Sequence, residues 1–143
     1  MPTRLAHARW EGSIKEGRGK IDFGSGAFNG SYSFASRFEE ERGTNPEELL
    51  AAAHAGCFAM ALSLVLGSVS LKPDYVDATA HVTVTPDGGG FKITKSHIVC
   101  EAKVPGLDQT AFLTHAETAK ESCPVSHALA GIEITLEAKL VAE

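Results

Sequence analysis

Between Leu49 and Leu66 the chain reads LLAAAHAGCFAMALSLVL, a run in which His54 and Ser63 are the only polar side chains. A segment this apolar either crosses a bilayer or is a helix enclosed by protein. Its length is near the lower limit for a membrane span. It is alanine-rich, it carries a histidine, and its start is capped. Asn45 can cap with Pro46 at the first helical position, or Thr44 and Glu47 can form a capping box. Both readings start the helix at the same place and run it to about Leu66. We read it as the buried helix of a soluble protein, with no membrane partner. Because it is apolar nearly all round, it must be covered on every side. A sheet covers one side and the later helices are short, so a second copy of the chain is expected to cover the rest.

The flanking segments read as short elements. Residues 5–12, 17–24 and 31–36 suit strands joined by glycine turns. Val76, Ala78, Ala80, Val82 and Val84 alternate with polar residues, as in a half-buried strand. Asp87-Gly-Gly-Gly90 turns that strand into another over about 91–104, and Pro105-Gly106 ends the hairpin. Asp108 can cap a helix over 109–122, in which Phe112, Ala116, Ala119 and Cys123 form one apolar stripe. Pro124 restarts a short helix that stops at Gly131. Ile132, Ile134, Leu136, Ala138 and Leu140 then alternate in a last strand. The order βββ-α-ββ-αα-β is α+β with mostly antiparallel sheet, and 143 residues suggest one domain.

Three cysteines, Cys57, Cys100 and Cys123, are too few and too widely spaced for a secreted disulfide framework. The opening MPTRLAHARWEG lacks an apolar core, so we expect no secretory signal and a cytoplasmic protein. There, a disulfide is transient and catalytic. The net charge of −5 and the lack of an arginine-rich stripe speak against a nucleic-acid partner. GRGK at 17–20 lacks phosphate-loop spacing, and neither a dinucleotide fingerprint nor a serine elbow is present.

Two of the thiols invite chemistry. Cys57 lies about twelve residues into its helix, where burial keeps a thiol protonated and the helix dipole gives little help. To react it needs a cation. Arg4, Arg9, Arg18, Arg37 and Arg42 are the arginines available, and the pattern does not choose among them. Arg37 lies just before the helix among acidic neighbours that can hold it. Cys123 precedes Pro124, which biases its backbone away from helix and sets it at a helix cap, where the dipole favours a thiolate. If the two thiols meet, the chain has a redox pair. If they do not, it has two core cysteines. A third reading is a zinc-stabilised binding module, since His54, Cys57, Cys123 and His127 stand at helical spacings. Cys100 lies in a strand and reads as packing.

RFEEERGTNPEELLAAAHAGCFAMAL followed by CPVSHAL resembles the OsmC/Ohr family of organic hydroperoxide reductases. The opening RWEG, ITK at 93–95, VPG at 104–106 and ITL at 134–136 extend the likeness along the whole chain. The resemblance implies a single peroxidase domain, residues 1–143, with antiparallel sheets around a long buried central helix in an intertwined homodimer. It implies a stress-response antioxidant that needs no haem, metal or other cofactor. It makes Cys57 the peroxidatic and Cys123 the resolving cysteine. Arg37 becomes the activating arginine and Glu47 the carboxylate that holds it, while the Ohr branch takes its arginine from the first glycine turn, where Arg18 is the nearest candidate here. Cys100 has no family counterpart. The implied substrates are organic hydroperoxides, with hydrogen peroxide used more weakly, and the implied reductant is a dithiol such as a lipoyl-bearing protein. The apolar run suggests Phe58, Met60 and Leu62 as substrate lining. Glu47 and Cys57 are ten residues apart on one helix, about 15 Å of rise. A site uniting them is therefore expected to take Glu47, and Arg37 with it, from the partner chain.

Overall fold

The computed structural model describes residues 2–142. The chain forms two compact units, one ending at Leu49 and one beginning at Leu50.

In the first unit, β1 (Ala6–Glu11), β2 (Arg18–Phe23) and β3 (Asn29–Tyr32) form an antiparallel meander. Gly19 of β2 is paired with Tyr32 and opposite Trp10, whose rings lie with centroids 5.4 Å apart. A Cβ there would overlap both rings. The third strand ends at Tyr32, short of the expected 36. Ser33 is extended and caps a five-residue helix, α1 (Phe34–Phe38), that hydrophobic periodicity does not reveal. The Ser36 amide donates to Ser33 Oγ at 3.1 Å and the Ser33 amide donates to Ser36 Oγ at 2.8 Å, a reciprocal capping box. α2 (Pro46–Ser68) starts in this unit. Asn45 is its cap, its Oδ1 accepting the Glu48 amide at 2.7 Å. The Thr44 hydroxyl bonds Glu48 at 2.9 Å instead of boxing with Glu47.

In the second unit, β4 (Tyr75–Asp87) and β5 (Gly90–Lys103) form the expected hairpin. Its two-residue turn places Gly88 and Gly89 at φ of 54° and 86°, positions that favour glycine. α3 (Gln109–Ser122) is capped by Asp108, which accepts the Ala111 amide at 2.8 Å. α4 (Pro124–Ala128) is shorter than its glycine stop suggests, with Leu129 as C-cap. β6 (Glu133–Leu140) departs from the antiparallel rule: it pairs parallel with β5, giving strand order β4-β5-β6. Parallel neighbours need a long crossover, and α3 and α4 supply it. Gln109 fastens α3 to the edge of β6, donating to the Ala138 carbonyl at 3.0 Å and accepting the Leu140 amide at 2.8 Å.

The core of this unit gathers Phe58, Leu62 and Leu66 of α2, Ile98, Cys100 and Ala102 of β5, and Phe112, Ala116 and Ala119 of α3. His54, Phe58, Leu62 and Leu66, at four-residue steps, form the buried stripe of α2. By length and composition α2 would cross a bilayer, but this stripe packs into a protein core. Within the second unit, and among the described residues, α2 is covered on one face. Met60 and Leu64 are 77% and 76% exposed. Ala52, Ala53, Gly56 and Gly67 are exposed with them. Phe58 and Leu62 are sealed in the core and line no open surface, which corrects the expectation made for them.

Candidate active site

Arg37 and Glu47 are brought together by the turn that joins α1 to α2. The Ser36 hydroxyl bonds the Thr44 carbonyl at 2.8 Å, and Asn45 Nδ2 donates to the Ser36 carbonyl at 3.0 Å. These bonds fold α1 back against the start of α2. Arg37 Nε and Nη2 then donate to the two oxygens of Glu47 at 2.9 and 3.0 Å, a bidentate pair. The Glu47 side chain is 7% exposed and that of Arg37 33%. Glu47 also lies in the first turn of α2, where the helix dipole favours a carboxylate. The guanidinium carbon of Arg37 stands 5.0 Å from the Phe38 ring centroid. Beside it opens a cavity of about 300 Å³ lined by Trp10, Ile14, Tyr32, Phe34 and Phe38. Arg18 is held less firmly. Its one ion pair among the described residues, to Glu41 at 3.8 Å, is exposed on both sides.

The two thiols meet. Cys57 on α2 and Cys123 between α3 and α4 lie close enough to act on each other's ionisation, and neither is in a disulfide. The meeting follows from local rules. Cys123 ends the buried stripe of α3, and Pro124 forces a bend immediately after it. The bend carries the Val125 backbone to Cys57, where its amide favours the thiolate. Burial pushes the Cys57 thiol up from its usual range, and the neighbouring Cys123 adds to the rise. The Val125 amide opposes them. Within its own unit, then, Cys57 favours the thiol form. Cys100 is 1% exposed in the core, and burial, with Asp77 and Glu101 nearby, pushes it up to about 12. It is a packing residue, as its strand position suggested.

Sequence reasoning missed the setting of His54. The ring is fully buried, with Nδ1 2.7 Å from Ser96 Oγ and Nε2 2.8 Å from Ser126 Oγ. The available signal was its place as one of two polar residues in the apolar run. Nothing in the pattern named the serines. His127 Nε2 bonds the Glu121 carbonyl at 2.8 Å. Both histidines of the zinc reading thus have other partners. Among the described residues no group of three or more His, Cys, Asp or Glu gathers as a ligand set.

Burial holds the His54 pKa below its usual 6.5. The unfolded chain therefore takes up a proton that the folded chain refuses. Stability is expected to be full above pH 6.5 and to fall as pH drops through the window below it. Urea midpoints at about pH 7.5 and about pH 5 should differ more for the wild type than for His54→Phe. Equal acid losses would show that the ring charges without penalty.

Comparison with known proteins places the chain in a family. The family model described as "OsmC-like protein" matches residues 39–137. The chain is 48% identical over 138 residues to peroxiredoxin OsmC of Escherichia coli (strain K12), covering 96% of each. It is 38% identical over 96 residues to the organic hydroperoxide resistance protein of Xanthomonas axonopodis pv. citri, covering 66% of each chain. The crystal structure of the organic hydroperoxide resistance protein OhrB of Bacillus subtilis matches with a TM-score of 0.69 at 26% identity, over 96% of this chain and 98% of that one.

Proposed function

The chain belongs to the OsmC family, and on that footing we propose that it reduces organic hydroperoxides to alcohols through Cys57 and Cys123. It is a peroxidase, in keeping with relatives named as a peroxiredoxin and as organic hydroperoxide resistance proteins. The observation that carries the mechanism is the meeting of the two thiols at a proline-forced bend.

The Cys57 thiolate attacks the O–O bond and takes one oxygen. The alkoxide leaves, gains a proton and departs as an alcohol, and Cys57 becomes a sulfenic acid. The Cys123 thiolate displaces hydroxide from that sulfur, which closes the disulfide and releases water. An external dithiol resets the pair by exchange, and a lipoyl-bearing protein has the required chemistry. Since burial and Cys123 both raise the Cys57 pKa, the reaction needs a cation. Arg37 is our choice, because Glu47 grips it by two oxygens and orients its fork. The aromatic cavity beside Arg37 suits the organic group of the peroxide. We take residues 1–143 as one catalytic domain acting in the cytoplasm, and a second copy as the cover for the exposed face of α2. Sealing Met60 and Leu64 there is worth about 1.5–3 kcal/mol each.

The test is intact mass after one equivalent of tert-butyl hydroperoxide. The expected product has lost two hydrogens per chain, with Cys57 and Cys123 linked in the peptide map. A linkage through Cys100, or no mass change, would refute the mechanism.

A further inference from the structure

We propose that His54 is a positioning residue for disulfide closure, acting through Ser126 to hold the Cys123–Pro124 bend against Cys57. The inference rests on the peroxidase reading above. His54 lies one turn before Cys57 on α2, so both project from the same part of the helix. Ser126 follows Cys123 by three residues and Val125, whose backbone neighbours Cys57, by one. The imidazole therefore links the helix that bears one thiol to the bend that bears the other, at 2.8 Å. Its other nitrogen is anchored to Ser96 of β5 at 2.7 Å. A neutral imidazole offers one donor and one acceptor, and a serine hydroxyl can answer either, so the strut is satisfied without charge. An apolar side chain would fill this buried position at no polar cost. A histidine there must recover its desolvation through both bonds.

The strut matters most after the first chemical step. In the reduced protein the two thiols also lie beside each other at the bend. Oxidation of Cys57 to a sulfenic acid changes that contact. The His54–Ser126 bond involves neither sulfur and persists. It keeps Cys123 in line with the oxidised sulfur until the disulfide closes. α4 has only five residues and no side-chain cap of its own, so it depends on such outside ties.

The test reacts wild type, His54→Phe and Ser126→Ala, as full-length chains in their native assembly, with tert-butyl hydroperoxide. Rapid quenching with thiol blocking and mass analysis separates the first step from closure. The first equivalent should be consumed within about twofold of the wild-type rate, while closure slows about tenfold in both variants. Sulfinic acid should accumulate at Cys57 as a second hydroperoxide attacks the waiting sulfenic acid. The double variant should close no more slowly than the slower single one, because both substitutions cut one strut. Ser126→Ala removes a single oxygen and keeps the test valid if the histidine variant folds poorly. Wild-type closure in Ser126→Ala, or equal slowing of both steps, would overturn the inference. If the wild type forms no sulfenic acid at Cys57, the peroxidase reading fails and this inference goes with it.

Discussion

Cys57→Ser is expected to abolish hydroperoxide reduction, a fall of about 10³-fold or more, because a serine hydroxyl is no comparable nucleophile at neutral pH. The fold should survive, since Cys57 lies at the edge of the core stripe formed by His54, Phe58, Leu62 and Leu66. Cys123→Ser is expected to behave differently. It should consume about one equivalent of hydroperoxide and then stop as a sulfenic acid that further peroxide over-oxidises. Stopped-flow peroxide consumption with and without a dithiol distinguishes the two. Undiminished turnover by Cys123→Ser with a dithiol would remove that residue from the mechanism. Cys100→Ser should change neither step, because the Cys100 thiol is sealed in the core and stays protonated.

The second large effect concerns where the cation comes from. Arg37→Ala is expected to be inactive and to raise the Cys57 pKa further, which thiolate absorbance against pH would record. It also strands the buried Glu47 carboxylate, at a cost of roughly 2–3 kcal/mol. Arg37→Lys should recover part of the activity, as lysine restores the charge without the planar fork. Mixing Arg37→Ala with Cys57→Ser after mild unfolding then asks which chain supplies the arginine. If each site takes Cys57 from one copy and Arg37 with Glu47 from the other, heterodimers hold one intact site of two. Random reassociation makes about half the dimers mixed, so about a quarter of wild-type activity should return. Heterodimers without activity would assign the whole site to one chain.

Much of this was legible in the chain itself, where local chemistry acts over a few residues. Asn45-Pro46 starts α2, Asp108 starts α3, and Asp87 to Gly90 turns the hairpin, all at the expected places. The stripe Phe112, Ala116, Ala119 and Cys123 is fully buried, as its spacing implied. α1 was hidden because five residues are too few for a helical period, and because its stability comes from two serines bonded to each other. The acidic neighbours of Arg37 were visible in sequence, but its pairing with Glu47 in particular came only from the family resemblance. The serines of His54 were not visible, since they arrive from positions 42 and 72 residues away. The parallel placing of β6 was equally hidden, because alternation reports which residues face the core and not which way a strand runs.

That parallel strand has a consequence for the order in which a newborn chain becomes competent. Translation completes α2, with Cys57, long before Cys123 leaves the ribosome. The crossover bearing Cys123 is pinned at its far end only when β6 docks beside β5, from Lys95–Glu133 to Ala102–Leu140. Docking across so long a loop is slow compared with closing a hairpin. On the mechanism proposed above, the nascent protein is expected to pass through an interval with Cys57 made and its proposed resolver still undelivered. On that mechanism, a lesion confined to the last eight-residue strand is expected to register first as oxidative damage at Cys57, more than seventy residues upstream.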